Sequence, residues 1–169
     1  MYSSDFDANG LLYWLGTDGG RSAWRNPMDA GRVTVTASSQ HQGTPNMVVG
    51  REAQMCYTGN DANAWFAVDL GEGRAIQPTH YSLRHWNIAA HALRHWVLEA
   101  SSDGAAWTAL RTHANDTSLA AQAGSTASWP LAADRAYRHF RVRQTGKCGA
   151  GYDQLMLSGF EIYGRTELP

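Results

Sequence analysis

Short apolar/polar alternations, each closed by Gly, Asp or Asn and spaced at about 10 to 15 residues, run the length of the chain, while no segment sustains a helical stripe over three turns. A side-chain period of two belongs to a strand with one buried face, so the pattern predicts an all-β protein. Arg32–Ser38 (RVTVTAS), Trp65–Leu70 (WFAVDL), His80–Trp86, Trp96–Ser101, Trp107–Thr112, Tyr137–Gln144 and Leu157–Tyr163 read as strands, within a set of about eight. Ser102-Asp103-Gly104 separates two of them, and Asp-Gly supplies the positive φ of a tight hairpin. In Tyr137–Gln144 the alternation sends Phe140 and Val142 to the core and the arginines to water; in the last strand it sets Phe160 and Ile162 inward against Glu161 and Tyr163. Trp65, Trp96 and Trp107 hold regular strand positions and are expected in the core.

With 169 residues, the chain has room for one sizeable core. Its net charge of −1 offers no long-range attraction to nucleic-acid phosphates or anionic lipid. No stretch approaches the roughly 18 apolar residues of a membrane span, and Met1–Gly10 is acidic where a signal peptide would be basic and then apolar. Cys56 and Cys148 are too few for a disulfide scaffold and read as two reduced thiols, with a bridge or a joint metal site with a histidine left open.

The longer joints are Gln40–Ala64, Asn87–Leu93, Asn115–Ala127 and Thr145–Gln154, and long loops in a compact domain are where function concentrates. The chain carries no G-x-S-x-G elbow, no P-loop, no G-x-G-x-x-G after a strand and no H-E-x-x-H. Carboxylates such as Asp61, Asp69, Asp103, Asp116 and Glu161 fall mostly at turns or strand ends, where they cap backbone donors. His85, His91 and His95 have a ligand-like spacing, but His91 and His95 share a face only on a helix, and Trp96 is better placed opening a strand. The sequon at Asn115 has meaning only in a secreted chain. Leu83-Arg84-His85-Trp86 recurs as Leu93-Arg94-His95-Trp96, two strand ends flanking a loop. Arg51, Arg84, Arg94, Arg143 and Lys147 stand in or beside the loops, and arginine's planar fork suits carboxylates and backbone carbonyls. Trp86, flanking a loop, is the tryptophan most open to a binding role.

The succession Asn63–Gly71 (NAWFAVDLG), Tyr81–His85, Leu93–Gly104 with Trp107, Ser128–Pro130, Tyr137–Val142 and Leu157–Gly164 (LSGFEIYG) resembles the discoidin, or coagulation-factor type C, superfamily of galactose-binding-like domains. With Asp7–Thr17 (DANGLLYWLGT) included, it is most similar to the intracellular branch found in a HECT-type E3 ubiquitin ligase and in BTB-domain proteins. The absence of a terminal cysteine pair agrees with that branch. The resemblance implies an eight-stranded antiparallel jelly-roll β-sandwich over residues 6–164, with tails at 1–5 and 165–169, and a ligand site among loops at one end. Carried over, that end takes in Arg51, Tyr57, Asn60, Asp61, Arg84, His85, Trp86, Arg94, Arg143, Lys147 and Tyr152. The polar Gln40–Asn46 segment, unlike the apolar spikes of membrane-binding relatives, speaks against lipid insertion. The function implied is a non-catalytic, intracellular, cytoplasmic recognition module for a peptide or protein segment, monomeric in isolation and part of a larger ubiquitin-ligase-type protein. The alternative is a carbohydrate-binding module in which Trp86 or Tyr57 stacks on a sugar and Asn60, Asp61 or Arg94 bonds its hydroxyls. Chemistry at Cys56 or Cys148 is a distant third reading. No cofactor is expected; the Ca²⁺ of some relatives is held largely by backbone carbonyls.

Overall fold

The computed structural model describes residues 1–86 and 88–167. Its strands are β1 (Thr34–Ala37), β2 (Trp65–Asp69), β3 (Ala75–Arg84), β4 (Trp96–Ser101), β5 (Thr108–His113), β6 (Thr126–Pro130), β7 (His139–Gln144) and β8 (Gly159–Glu167). They pair antiparallel in two sheets, ordered β1-β2-β7-β4-β5 and β6-β3-β8, which makes the molecule an all-β sandwich of the jelly-roll type. The alternation in β2 and β7 sets the register: Phe66 lies opposite Val142 and Val68 opposite Phe140, all four buried between the sheets. Asp103 closes the β4–β5 hairpin by accepting the N–H groups of Ala105 and Ala106, with Gly104 at φ 74°. Those donors hold its carboxyl down at about 2.

Four expectations change at the edges. β3 starts at Ala75 rather than His80, its pairing with β8 broken by a register shift between Pro78 and His80, so the residues before the bulge do not share the alternation. β6 occupies the end of the expected loop Asn115–Ala127. The tail expected from residue 165 is strand as far as Glu167; residues 168–169 lie outside the described residues. Residues 1–5 are tied down as well: Tyr2 stacks on His80 with ring centroids 4.5 Å apart, and Asp5 accepts the Thr126 hydroxyl at 2.8 Å. Near the bulge, a Cβ on Gly164 would lie 2.1 Å from the Gln77 carbonyl oxygen. Gly164→Ala is therefore expected to lower the melting temperature by forcing β3 and β8 apart, at a cost of about 1–3 kcal/mol. An unchanged melting temperature in a thermal scan would contradict this contact.

A polar chain bridges the two sheets inside the core. The Trp96 indole N–H donates to the Tyr81 hydroxyl at 2.9 Å, that hydroxyl lies 2.7 Å from His113 Nε2, and His113 Nδ1 lies 2.6 Å from Asp116. Every polar atom is satisfied if Tyr81 donates to a neutral His113 that in turn donates to Asp116. Burial lowers the His113 pKa, which favours that neutral form. The His113 ring also stacks on Trp96 at 3.9 Å, and Trp129 packs edge-on against both.

Residues before β1 add a short helix, α1 (Leu11–Gly16), which the strand alternation did not anticipate. Leu11, Leu12 and Leu15 are buried. Its first turn has no local cap; instead the N–H groups of Leu12 and Tyr13 donate to Glu161 on β8, at 2.8 and 3.0 Å. Glu161 and Tyr163 were expected to face water, yet both are buried, because the N-terminal segment covers that face of β8, α1 over Glu161 and Tyr2 edge-on against Tyr163 at 5.1 Å. Gly10 is required here, since a Cβ would sit 2.2 Å from the Glu161 carboxyl carbon.

Candidate functional site

In an antiparallel sandwich alternate connections leave by the same end. Here that end carries the four long joints at 38–64, 85–95, 114–125 and 145–158, which are laced together by backbone hydrogen bonds. Trp86 O accepts from Gly124, Ala92 O from Gly149, His95 O from Thr145 and Arg94 O from Asp116, while Tyr57 bridges to both Gln42 and Met156. The loop end is thus a braced surface.

The arginines expected to point into it do other work. Arg84 is only 7% exposed; its guanidinium lies 4.0 Å beneath the Phe6 ring and donates to Gly50 O at 3.3 Å. Arg51 donates to Phe6 O, pairs with Glu161 at 3.6 Å and lies over Tyr13 at 4.8 Å. Both belong to the anchor of the N-terminal segment. Arg94 donates to Leu93 O and Leu119 O at 2.8 and 2.9 Å, tying the β3–β4 joint to the β5–β6 joint. Arg143 lies on the outer face of the larger sheet, where it and Arg141 each approach Glu99 to 2.7 Å. Burial works against the Glu99 charge, but the two guanidiniums hold its carboxyl below the ordinary range. His85 is fully buried with Nε2 2.9 Å from Ile88 O, and burial lowers its pKa.

What remains open at the loop end is smaller and more apolar. Tyr152 is 47% exposed and stacks on His91, with centroids 5.3 Å apart and planes 13° apart. Ile88, 40% exposed, opens the short turn that carries His91, and the His91 N–H donates back to Ile88 O. Trp86 is half-buried beside them in sequence. Lys147 pairs with Asp153 at 3.1 Å, Asn60 accepts the Asp153 N–H at 2.8 Å, and Asp61 accepts the Ser39 hydroxyl. Tyr57 is part-buried and stacks on His41 at 5.3 Å. Ile88 and His91 were not among the residues expected here; an apolar side chain within a loop bounded by polar turn residues was the available signal for Ile88. The expected loop Asn87–Leu93 begins on a residue outside those described.

One further expectation is corrected, for the tryptophans, and one, for the two reduced thiols, is met. Trp96 is in the core, but Trp65 and Trp107 lie half-buried on the outer face of the larger sheet, flanking Arg141 at 5.9 and 4.2 Å and lining a groove of about 310 Å³ with Thr34, Thr36 and Asp69. Cys56 and Cys148 are free and buried, without a bridge. Burial pushes the Cys56 thiol up to about 11, so it carries little thiolate at neutral pH. Among the described residues no three His, Cys, Asp or Glu side chains gather to hold a metal, and no helix is long and apolar enough to cross a membrane.

Residues 37–166 match the Sad1/UNC-like C-terminal family. The chain belongs to that family. It is 43% identical over 176 residues to the E3 ubiquitin-protein ligase Ufd4 of Drosophila melanogaster and 42% identical over 171 residues to the E3 ubiquitin-protein ligase hecd-1 of Caenorhabditis elegans. These alignments take in 98% and 95% of the chain but only 6% of either ligase. A BTB/POZ domain-containing protein of Arabidopsis thaliana is 33% identical over 160 residues, covering 86% of the chain and 19% of that protein. Among solved structures, the CBM32-5 module of Clostridium perfringens, determined with GalNAc-β-1,3-galactose, superposes with a TM-score of 0.61 at 14% identity over 79% of the chain and 96% of the module. A fucose-binding module of Streptococcus pneumoniae gives 0.61 at 17% identity over 78% of the chain and 91% of the module. At such identities the likeness is one of fold: the domain shares the β-sandwich architecture of these carbohydrate-binding modules.

Proposed function

We propose that this Sad1/UNC-like domain is a non-catalytic recognition module that binds a peptide or protein segment at its loop end, and that it serves an intracellular ubiquitin-ligase-type protein as a substrate- or partner-binding part. The observation that carries the reading is the exposed Tyr152 ring, held flat on His91 with Ile88 open on the same turn. A pre-positioned aromatic with an adjacent aliphatic side chain is the usual anchor of a protein contact, because little conformational freedom is lost on binding. The ligase relatives supply the context. The arginine-fork recognition expected from the sequence is not part of this reading, since Arg51, Arg84 and Arg94 already bond backbone carbonyls.

The test is a thermal-shift and calorimetric screen of the purified domain against degenerate peptide pools and a panel of sugars. Tyr152→Ala is expected to weaken peptide binding about tenfold, or 1.4 kcal/mol, with an unchanged melting temperature. Arg84→Ala is expected to lower the melting temperature instead. Peptide affinity untouched by Tyr152→Ala would sink the site, and a response to sugars alone would transfer the Tyr152–His91 platform to a carbohydrate ligand.

A further inference from the structure

Outside the loop end, the N-terminal segment carries a reactive juxtaposition unrelated to ligand binding. An asparagine side chain is attacked by the backbone nitrogen of the following residue when that nitrogen is unhindered and its N–H is uncommitted; glycine offers the least hindrance. Asn9 is exposed, its side chain bonds no other group among the described residues, and Gly10, itself buried against Glu161, follows it with an N–H that has no acceptor among them. The other described asparagines lack that combination. Asn26 precedes Pro27, which has no N–H; Asn46 and Asn63 have bonded side chains, and the N–H groups after them donate to Thr44 O and Asp61 O. The Asn60 side chain accepts from Asp153, and the N–H after Asn115 donates to Arg94 O.

We infer that Asn9–Gly10 is a site of spontaneous isoaspartate formation whose product releases α1 from the sandwich. The Gly10 nitrogen, losing its proton to solvent base, forms a bond to Asn9 Cγ, and the side-chain nitrogen leaves as ammonia. Water then opens the cyclic imide at either carbonyl, giving aspartate or isoaspartate at position 9. The isoaspartyl product inserts one extra atom into the backbone immediately before Gly10, the residue that cannot accept even a Cβ against Glu161. It also leaves a new carboxylate near the buried Glu161. The Leu12 and Tyr13 N–H groups are then drawn off the Glu161 carboxylate, and the first turn of α1 loses its cap.

The experiment holds the folded chain in warm, mildly alkaline and in mildly acidic buffer. It follows tryptic peptides by mass spectrometry and isoaspartate by labelling with an isoaspartyl methyltransferase. The expected result is an amide-to-acid mass gain on the Asn9–Gly10 peptide that outpaces every other described asparagine and quickens with pH. The converted fraction should melt at a lower temperature, and Asn9→Gln, whose longer side chain closes the ring poorly, should abolish the label while keeping the unaged melting temperature. Conversion at Asn9 only in urea would overturn the site, and conversion without a change in melting would overturn the release of α1.

Discussion

Glu161→Ala will lower the unfolding free energy by about 3–5 kcal/mol at pH 5, a large part of the 5–15 kcal/mol typical of a domain. Three backbone N–H groups, those of Leu12, Tyr13 and Ile162, lose their carboxyl acceptor together, and Arg51 loses the carboxyl group beside it. The size of the loss should depend on pH in a defined direction. Burial pushes the Glu161 carboxyl up to about 7, against the pull of those N–H donors and Arg51, from an ordinary 4.5. The folded protein therefore holds this proton more tightly than the unfolded chain does. Glu161's contribution is complete below the unfolded value and is lost as pH rises from about 4.5 to about 7. Urea titrations at pH 5 and pH 8 should show the gap between wild type and Glu161→Ala narrowing at the higher pH. A gap that widens there would mean that the ionised carboxylate is the form the fold prefers.

Tyr81→Phe will cost about 2–4 kcal/mol although it removes one atom. The Trp96 indole N–H would lose its acceptor and His113 Nε2 its donor, each inside the core, and a buried orphan costs about 1–3 kcal/mol. Tyr152→Phe is the control, since the Tyr152 ring is open to water and the same deletion there should leave urea midpoints unchanged. Equal stabilities for the two variants would show that the Tyr81–His113–Trp96 chain contributes nothing.

The alternation made the inner faces of β2 and β7 legible, because one face of each is wet and the period is visible in the residues. On β4 it located the strand, which runs from Trp96 to Ser101 as expected, but not its inner face, because β4 is buried along its whole length and has no wet face to mark the period. It failed on Glu161, which occupies a polar position by rule and meets its partners 148 and 149 residues away in the chain. Local sequence reports a residue's period and not what covers it. The repeated Leu-Arg-His-Trp tetrads make the same point with identical letters. Trp96 is fully buried and bonded to Tyr81, while Trp86 is half-buried beside a loop. Arg84 is enclosed under Phe6, while Arg94 holds two carbonyls. His85 is enclosed, while His95 accepts the Asn115 N–H. At the loop end the sequence identified the four joints and named arginines and aromatics together, Tyr57, Trp86 and Tyr152 among them, without telling which of the two groups stays open. Guanidiniums near loop backbones are readily drawn onto carbonyls, and that left the aromatic and aliphatic side chains facing out.

The contacts of Arg84 bear on where the smallest self-sufficient folding unit begins. The family match starts at residue 37, after α1 and after Phe6. A polypeptide trimmed to that boundary would keep Glu161, Arg51 and Arg84 but lose the helix and ring that enclose them. It would present a bare carboxylate and two unshielded guanidiniums on the flank of β8 and β3. Arg84 also touches Gly50 and Ser158, in the β1–β2 and β7–β8 joints, so the trimmed edge would slacken the very loops that such a fragment would be made to study.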